Sequence, residues 1–466
     1  MKKALLLLAA AAACAIALPA TAARNKTLKG SGRIVTETRD VGSFHAVEAG
    51  SIAHVLVGDY PAGRVTVKTD DNLLVHVQTS VAEGTLRIGL ADVTVQNAEL
   101  TVYVPAAGIT RLNAKGIAAF SLETPLTGIT GLKAGGAAKI TAEHPLQTND
   151  AAIETSGTAH IAVEAMTGTL ERISATGGSE IDLKGQPAGA DAAIETSGTA
   201  HIAVEAMTGT LERISATGGS VIELKGQPAG VDATIETNGT AHIAVEAMTG
   251  TLERISATGG SVIELKGQPA GADAAIETNG TAHIAVEAMT GSLERISATG
   301  GSVIELKGQP AGADAAIETS GTAHIAVEAM MGSLERISAT GGSEIELKST
   351  ATGRAIELRA SGTSRLVCNG ELLCDDASIE SSGAARITTR VKCTECRIES
   401  SGTSATQVSL DATSLHAESS GGAGMTLAGT TRACRIVAGG TSRIDATGLK
   451  SEQWDTTVGK YSALKR

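Results

Sequence analysis

A glycine that returns every 19 to 21 residues constrains this chain more than any other feature. It stands at Gly116, Gly136, Gly157, Gly177, Gly198, Gly218, Gly239, Gly259, Gly280, Gly300, Gly321, Gly341, Gly362, Gly383, Gly402, Gly421 and Gly440. One template surrounds it: an apolar residue, three residues, the glycine, three more, then Ile, one residue, and Val or Leu. Ile153 to Val163 is one copy, and Ile173 to Leu183 is the next. Copies starting at Ile153, Ile194, Ile235, Ile276 and Ile317 are nearly identical, so a 41-residue period is a doublet of a shorter unit of about 20 residues. Repeats of this length announce a solenoid, in which each unit packs only on its neighbours.

Short alternating runs such as Ile161-Ala162-Val163 and Ile181-Asp182-Leu183 fill each unit. Alternation over a few residues marks a strand with one buried face. No stretch carries a 3.6-residue apolar period long enough for a helix. A glycine fixed in every unit suits a bend with positive φ or a close stack of backbones. The chain is therefore expected to be all-β, a β-helix-like solenoid with about 20–21 residues per turn. Sixteen steps at about 4.8 Å would give a rod roughly 75–80 Å long. A drifted unit before Gly116 is expected around Leu100 to Val104. A propeller fits badly, since a blade takes roughly 40 residues and four strands. Only six residues are aromatic, and none lies between Phe120 and Trp454. The core must then be thin layers of Ala, Val, Ile and Leu.

The ends read differently from the middle. Lys2 and Lys3 precede an apolar run, Ala4 to Leu18, that Pro19 closes before Ala20-Thr21-Ala22. This is the pattern of a signal peptide over residues 1–22, cleaved after Ala22. Cys14 is the alternative, a lipid-modified cysteine, but it lacks the usual Leu three residues earlier. Residues 23–105 read as the N-terminal cap and first turns, and 106–450 as the repetitive solenoid. The near-identical doublets occupy about 150–348, and 451–466 read as a C-terminal cap with an aromatic lid. No later segment is long and apolar enough to be a transmembrane segment. Without its two leader lysines the chain carries 36 basic against 50 acidic residues, so −14 instead of −12. Nucleic acid is a poor partner for such a surface.

Gly30 to Phe44 opens the chain beyond the leader with Gly-Ser-Gly-Arg-Ile-Val-Thr-Glu-Thr-Arg-Asp-Val-Gly-Ser-Phe. Val47, Val55-Leu56-Val57 and Asp71-Asn72-Leu73-Leu74 follow. This segment, with the later Ser-Gly-x-Ser/Ala-x-Ile/Val units, resembles the auto-transporter adhesin head domain (head GIN domain) family of bacterial envelope proteins. The resemblance covers nearly the whole chain beyond the leader and implies a right-handed parallel β-helix-like fold. It implies no established activity. The departure is length: the doublets look like tandem duplication added to an ordinary member.

Three sets of residues invite a chemical reading. His160, His201, His242, His283 and His324 recur three residues after the glycine in alternate turns. Their backbones should lie roughly 9–10 Å apart. The places between and after them hold Glu180, Val221, Val262, Val303 and Glu344, so only His160–Glu180–His201 and His324–Glu344 offer adjacent ligands. Duplication explains the row, which reads as a surface ladder with no metal. Glu154, Glu164, Glu171 and their copies, with Arg172 and its copies, read as a solvated charged face and not as a catalytic carboxylate pair.

Five cysteines remain beyond the leader: Cys368, Cys374, Cys393, Cys396 and Cys434. In an oxidising compartment disulfides are the first reading. Cys374 and Cys393 both lie nine residues before their glycine and should stack on adjacent turns. Cys396 and Cys434 share a place but sit two turns apart. Cys368–Cys374 and Cys393–Cys396 are local alternatives, and the odd count leaves one thiol over. Cys393-Thr394-Glu395-Cys396 lacks the strand-to-helix setting of a redox motif.

Every candidate in the duplicated block recurs with the repeat, whereas catalytic sites are singular. The expectation is a non-enzymatic, exported envelope or surface protein, adhesin-like or a spacer, working without a cofactor. Its partners would be envelope or surface macromolecules, in the periplasm, at the outer membrane surface or outside. The alternative is a carbohydrate-binding or carbohydrate-active β-helix.

Overall fold

Alternation along each turn builds the core. In His160–Val163 the side chains of Ile161 and Val163 are buried while His160 and Ala162 face outward. The next turn repeats this in register, with Ile161 opposite Ile181 and Val163 opposite Leu183, in parallel. The same column continues through Ile202, Ile222, Ile243 and onward to Ile345. Each such side chain is fully buried, which contributes roughly 1.5–3 kcal/mol.

The computed structural model describes residues 26–91 and 93–466. The leader expected over 1–22, with Cys14, lies outside them. No α-helix occurs among the described residues, and the chain winds into a β-solenoid of about 18 turns.

A turn has three faces, seen in the coil around Gly157. The first face is Ala152–Gly157, the second His160–Val163, and the third begins at Met166 and runs to Leu170; each pairs in parallel with its counterpart one turn on. The anchoring glycine makes the corner between first and second faces. All seventeen glycines have φ between 66° and 85°. From Gly136 onward the amide of the residue after each one donates to the carbonyl of the glycine one turn back, as from Thr158 to Gly136 at 2.6 Å. At the third corner an aspartate takes the left-handed conformation instead, as at Asp191 (φ 52°) and Asp232 (φ 47°). Its amide donates to a hydroxyl one turn on, Thr210 Oγ1 at 2.8 Å for Asp191. Asp tolerates this region better than most residues.

The core includes one polar column. Thr155 Oγ1 lies 2.9 Å from Ser179 Oγ, and the pairing recurs at Thr196–Ser220, Thr237–Ser261, Thr278–Ser302 and Thr319–Ser343. Ser179 also donates to the carbonyl of Thr176, so its single proton is committed. Thr155 must therefore be the donor to Ser179.

The N-terminal end departs from chain order. Ala46–Ala49 and His54–Val57, not Leu100–Val104, form the coil directly beneath the turn of Gly116. In that coil Ser51 occupies the glycine's place and takes φ 58°. Thr85–Ile88 and Thr101–Val104 lie one rung further out, each parallel to the Ala46–Val57 coil. Antiparallel strands close the end: Ile34–Asp40 on Arg64–Asp70, and the latter on Leu100–Thr101 through Tyr103. Residues between Gly58 and Thr110 therefore make a loop-out that returns beneath its own start.

At the other end Arg443–Val458 continues the stack as an ordinary turn and Ala463–Lys465 adds the last rung. Trp454 packs partly on the core opposite Cys434, with the Arg466 guanidinium 4.8 Å above its ring. Tyr461 is 73% exposed and takes no part in the lid expected there.

Candidate functional site

Outward positions of the first face alternate Ser and Glu, beside a row that alternates Arg with Ala or Thr. The arginines reach diagonally to the next turn: Arg172–Glu195 at 2.7 Å, Arg213–Glu236 at 2.9 Å, Arg254–Glu277 at 2.7 Å and Arg295–Glu318 at 2.8 Å. All of these pairs are substantially exposed, and each contributes well under about 1 kcal/mol. Their importance is chemical. Each of these four glutamates is held by an arginine and is not a free carboxylate in the duplicated turns.

The histidines line the second face. His160, Glu180 and His201 are direct neighbours on successive rungs, as the sequence spacing indicates. Sequence reasoning missed Asp182. It faces outward two residues beyond Glu180, and its Oδ2 lies 3.3 Å from His160 Nε2. The signal was present as a break in the duplication, Glu-Ile-Asp where sibling turns read Val-Ile-Glu. The Nε2 atoms of His160, His201, His242 and His283 are shut off from solvent and meet no hydrogen-bond partner.

The cysteines cluster near the third-face corner. Leu373 pairs with Lys392 and the Cys374 amide donates to the Lys392 carbonyl, so Cys374 and Cys393 are stacked on adjacent turns. Cys396 and Cys434 are separated by Leu415. All five described cysteines are free thiols, and no disulfide joins Cys374 to Cys393 in the structure. A hydrogen bond to Cys393, then burial, pushes the Cys374 thiol well above its ordinary range. Cys393 is pulled down by Cys374, but its bond to Cys396 and burial together raise it to about 12. Burial drives Cys368 up to about 12 against a hydrogen bond with Thr389 that lowers it. Raised thiols such as these three are not activated thiolates.

One concavity lies outside the duplicated block. It is an open groove of about 600 Å³ across the last turns of the second face, where Arg386, Thr388, Gln407, Arg443, Asp445 and Lys465 line it. Ala405 and Gly424 stand between Arg386 and Arg443 on one outward row of the face. No helix among the described residues is long and apolar enough to cross a membrane.

A rod with three long, repeating outward faces is a β-solenoid repeat protein, the class that offers extended lateral surfaces to partners. More particularly, the chain belongs to the family described as "putative auto-transporter adhesin, head GIN domain", which matches residues 43–200, 322–407 and 375–459. Solved structures similar to it include a "putative lipid binding protein" from Parabacteroides distasonis ATCC 8503. It is 15% identical, with 68% of this chain and 99% of that one covered, at a TM-score of 0.29. A "putative adhesin" from Parabacteroides merdae ATCC 43184 is also 15% identical, covering 68% and 98%, at a TM-score of 0.26. Another "putative adhesin", from Bacteroides fragilis NCTC 9343, shares 15% identity over 67% and 99%, at 0.26. Likenesses this distant assign neither ligand nor activity to the chain. Among curated proteins none matches it.

Proposed function

We propose that this is an exported, adhesin-like protein of the bacterial envelope whose rod presents an extended repeat surface to macromolecules at the cell surface. One observation carries the reading: duplication has multiplied lateral surface, not a cleft, and each added doublet brings the same outward rows of Arg, Glu and His. Family membership and the leader pattern over residues 1–22 support export. The arginine-bound glutamates support a role without catalysis. Protease treatment of intact cells, with fractionation, tests the display. Loss of the chain on shaving is expected, and recovery of all of it from the periplasm sinks the surface role.

In that oxidising setting the stacked Cys374 and Cys393 close as a disulfide, their two electrons passing to the compartment's thiol oxidants. Peptide mapping without reductant should find that link; two free thiols in protein from the envelope would remove it.

The groove at Arg386 to Lys465 favours a second reading, capture of a polar glycan, because arginine, amide, hydroxyl and carboxylate groups line one open trough. Glycan-array binding that Arg443→Ala abolishes would support it, and binding unchanged by Arg443→Ala would exclude the groove.

A further inference from the structure

Glu180 and Asp182 interrupt an otherwise faithful duplication. The sibling turns hold Val221 and Glu223, Val262 and Glu264, Val303 and Glu305 at the same two places; the last holds Glu344 and Glu346. Glu344 has His324 before it but Arg365 after it. Only the turn of Gly177 sets a carboxylate between two histidine-bearing rungs with an aspartate beside it.

We propose that His160, Glu180 and Asp182 bind a divalent transition-metal ion of the zinc class on the second face of the rod, a site independent of the adhesin reading. One ligand atom from each of the three lies within 4.8 Å of the others. With metal–ligand bonds of about 2.0–2.1 Å, neighbouring ligands of a tetrahedral ion stand about 3.3 Å apart. His160 Nε2 and Asp182 Oδ2 already have that separation, at 3.3 Å. They lie close without hydrogen-bond alignment, and Nε2 has neither a hydrogen-bond partner nor solvent. The orphaned nitrogen is shared with His201, His242 and His283, but only His160 has two carboxylates at hand. The Glu180 side chain, 45% exposed, is free to close the remaining gap of at most about 1.5 Å.

The surroundings leave the site available. Asp182 is flanked on its own row by Ala162 and Ala203, so the directly opposite place on each neighbouring rung holds only a methyl group. Lys184, the nearest cation along the strand, is engaged by Glu164 at 3.0 Å. Lys139 stands one rung before His160 and is exposed. His201 Nδ1, 3.9 Å from Glu180 Oε1, backs the glutamate from the other side. An imidazole with two carboxylates suits zinc or cobalt; calcium would want six to eight oxygens.

The test is titration of the exported protein with Co²⁺ and Zn²⁺, its cysteines alkylated beforehand. One equivalent should bind, with cobalt visible bands and no thiolate charge-transfer band in the near ultraviolet. The double variant Glu180→Val with Asp182→Glu recreates the Val-Ile-Glu of three turns that fold elsewhere in this chain. Its affinity should fall at least 10-fold with circular dichroism unchanged. The reverse change, Val221→Glu with Glu223→Asp, should raise the stoichiometry from one to two by building the same triad on His201. No binding by the wild type, binding indifferent to the first variant, or a stoichiometry still at one in the second would each overturn the proposal.

Discussion

A Cβ placed on Gly239 would stand 2.6 Å from the carbonyl oxygen of Gly218, at a backbone φ of 85°. Both the left-handed conformation and the collision with backbone penalise any side chain there. Gly239→Ala should cost at least about 2 kcal/mol, read as a lowered urea midpoint. Gly424 is the control, since an added Cβ there meets nothing within 4 Å and φ is not positive. Gly424→Ala should be neutral or stabilising by up to about 1 kcal/mol. Equal losses at the two sites would refute the stacking argument. The buried Cys368 adds a pH dependence. Its thiol is raised from 9.0 to about 12 in the folded chain, so folding favours the protonated form. That contribution is complete below about 9 and is lost as pH climbs toward 12. Alkaline destabilisation should therefore be shallower in Cys368→Ala than in the wild type, with the two curves parallel below pH 8. At this scale the glycines were legible, because spacing alone exposes a residue required in every turn. Ser51 was not, because it fills the same left-handed corner without being glycine. Asp182 passed unnoticed as well, since a run of Ile-Asp-Leu looks like any alternating strand until the neighbouring rung places a histidine against it.

Between elements the contacts are almost all to the turn before and the turn after. Thr234 and Ala275 hold the same register place in successive doublets, opposite Arg213 and Arg254. Excising residues 235–275 would join Thr234 to Ile276 and leave every remaining rung with a suitable neighbour. The shortened protein should fold, with its longest dimension in X-ray scattering reduced by two rungs, about 10 Å. Failure to fold would mean that stability is not a sum of neighbour terms. Strand type and register were readable here because the repeat places like on like, as in Ile161 on Ile181. The N-terminal order was not readable. Nothing local in Leu100–Val104 says that its partner is His54–Val57, 47 residues back, or that His54–Val57 will insert between it and Ala119–Leu122. Pairings that skip over a loop-out are decided by the whole stack and leave no periodic trace.

For the molecule as a whole, sameness along the rod carries a cost in addressing. A newly made turn beginning at Ile276 fits the coil below it at Ile255 and fits almost as well one doublet away, since the partner residues are the same types. A scale with identical divisions needs a zero mark. The coil of Ala46 to Gly58, with the antiparallel strands that close it, is the one platform whose upper edge is matched to Arg111–Ala114 and Ala119–Leu122 and to nothing later. Synthesis from the N-terminus presents that platform first, and each turn then has a single open edge on which to land. Chains lacking residues 26–110 should therefore refold into a mixture of slipped products, seen as several protease-resistant fragments differing by about 41 residues, where the intact protein gives one. Such a mixture would identify the cap as the origin from which the rest of the ladder is counted; a single product from the truncated chain would show that the turns can count for themselves.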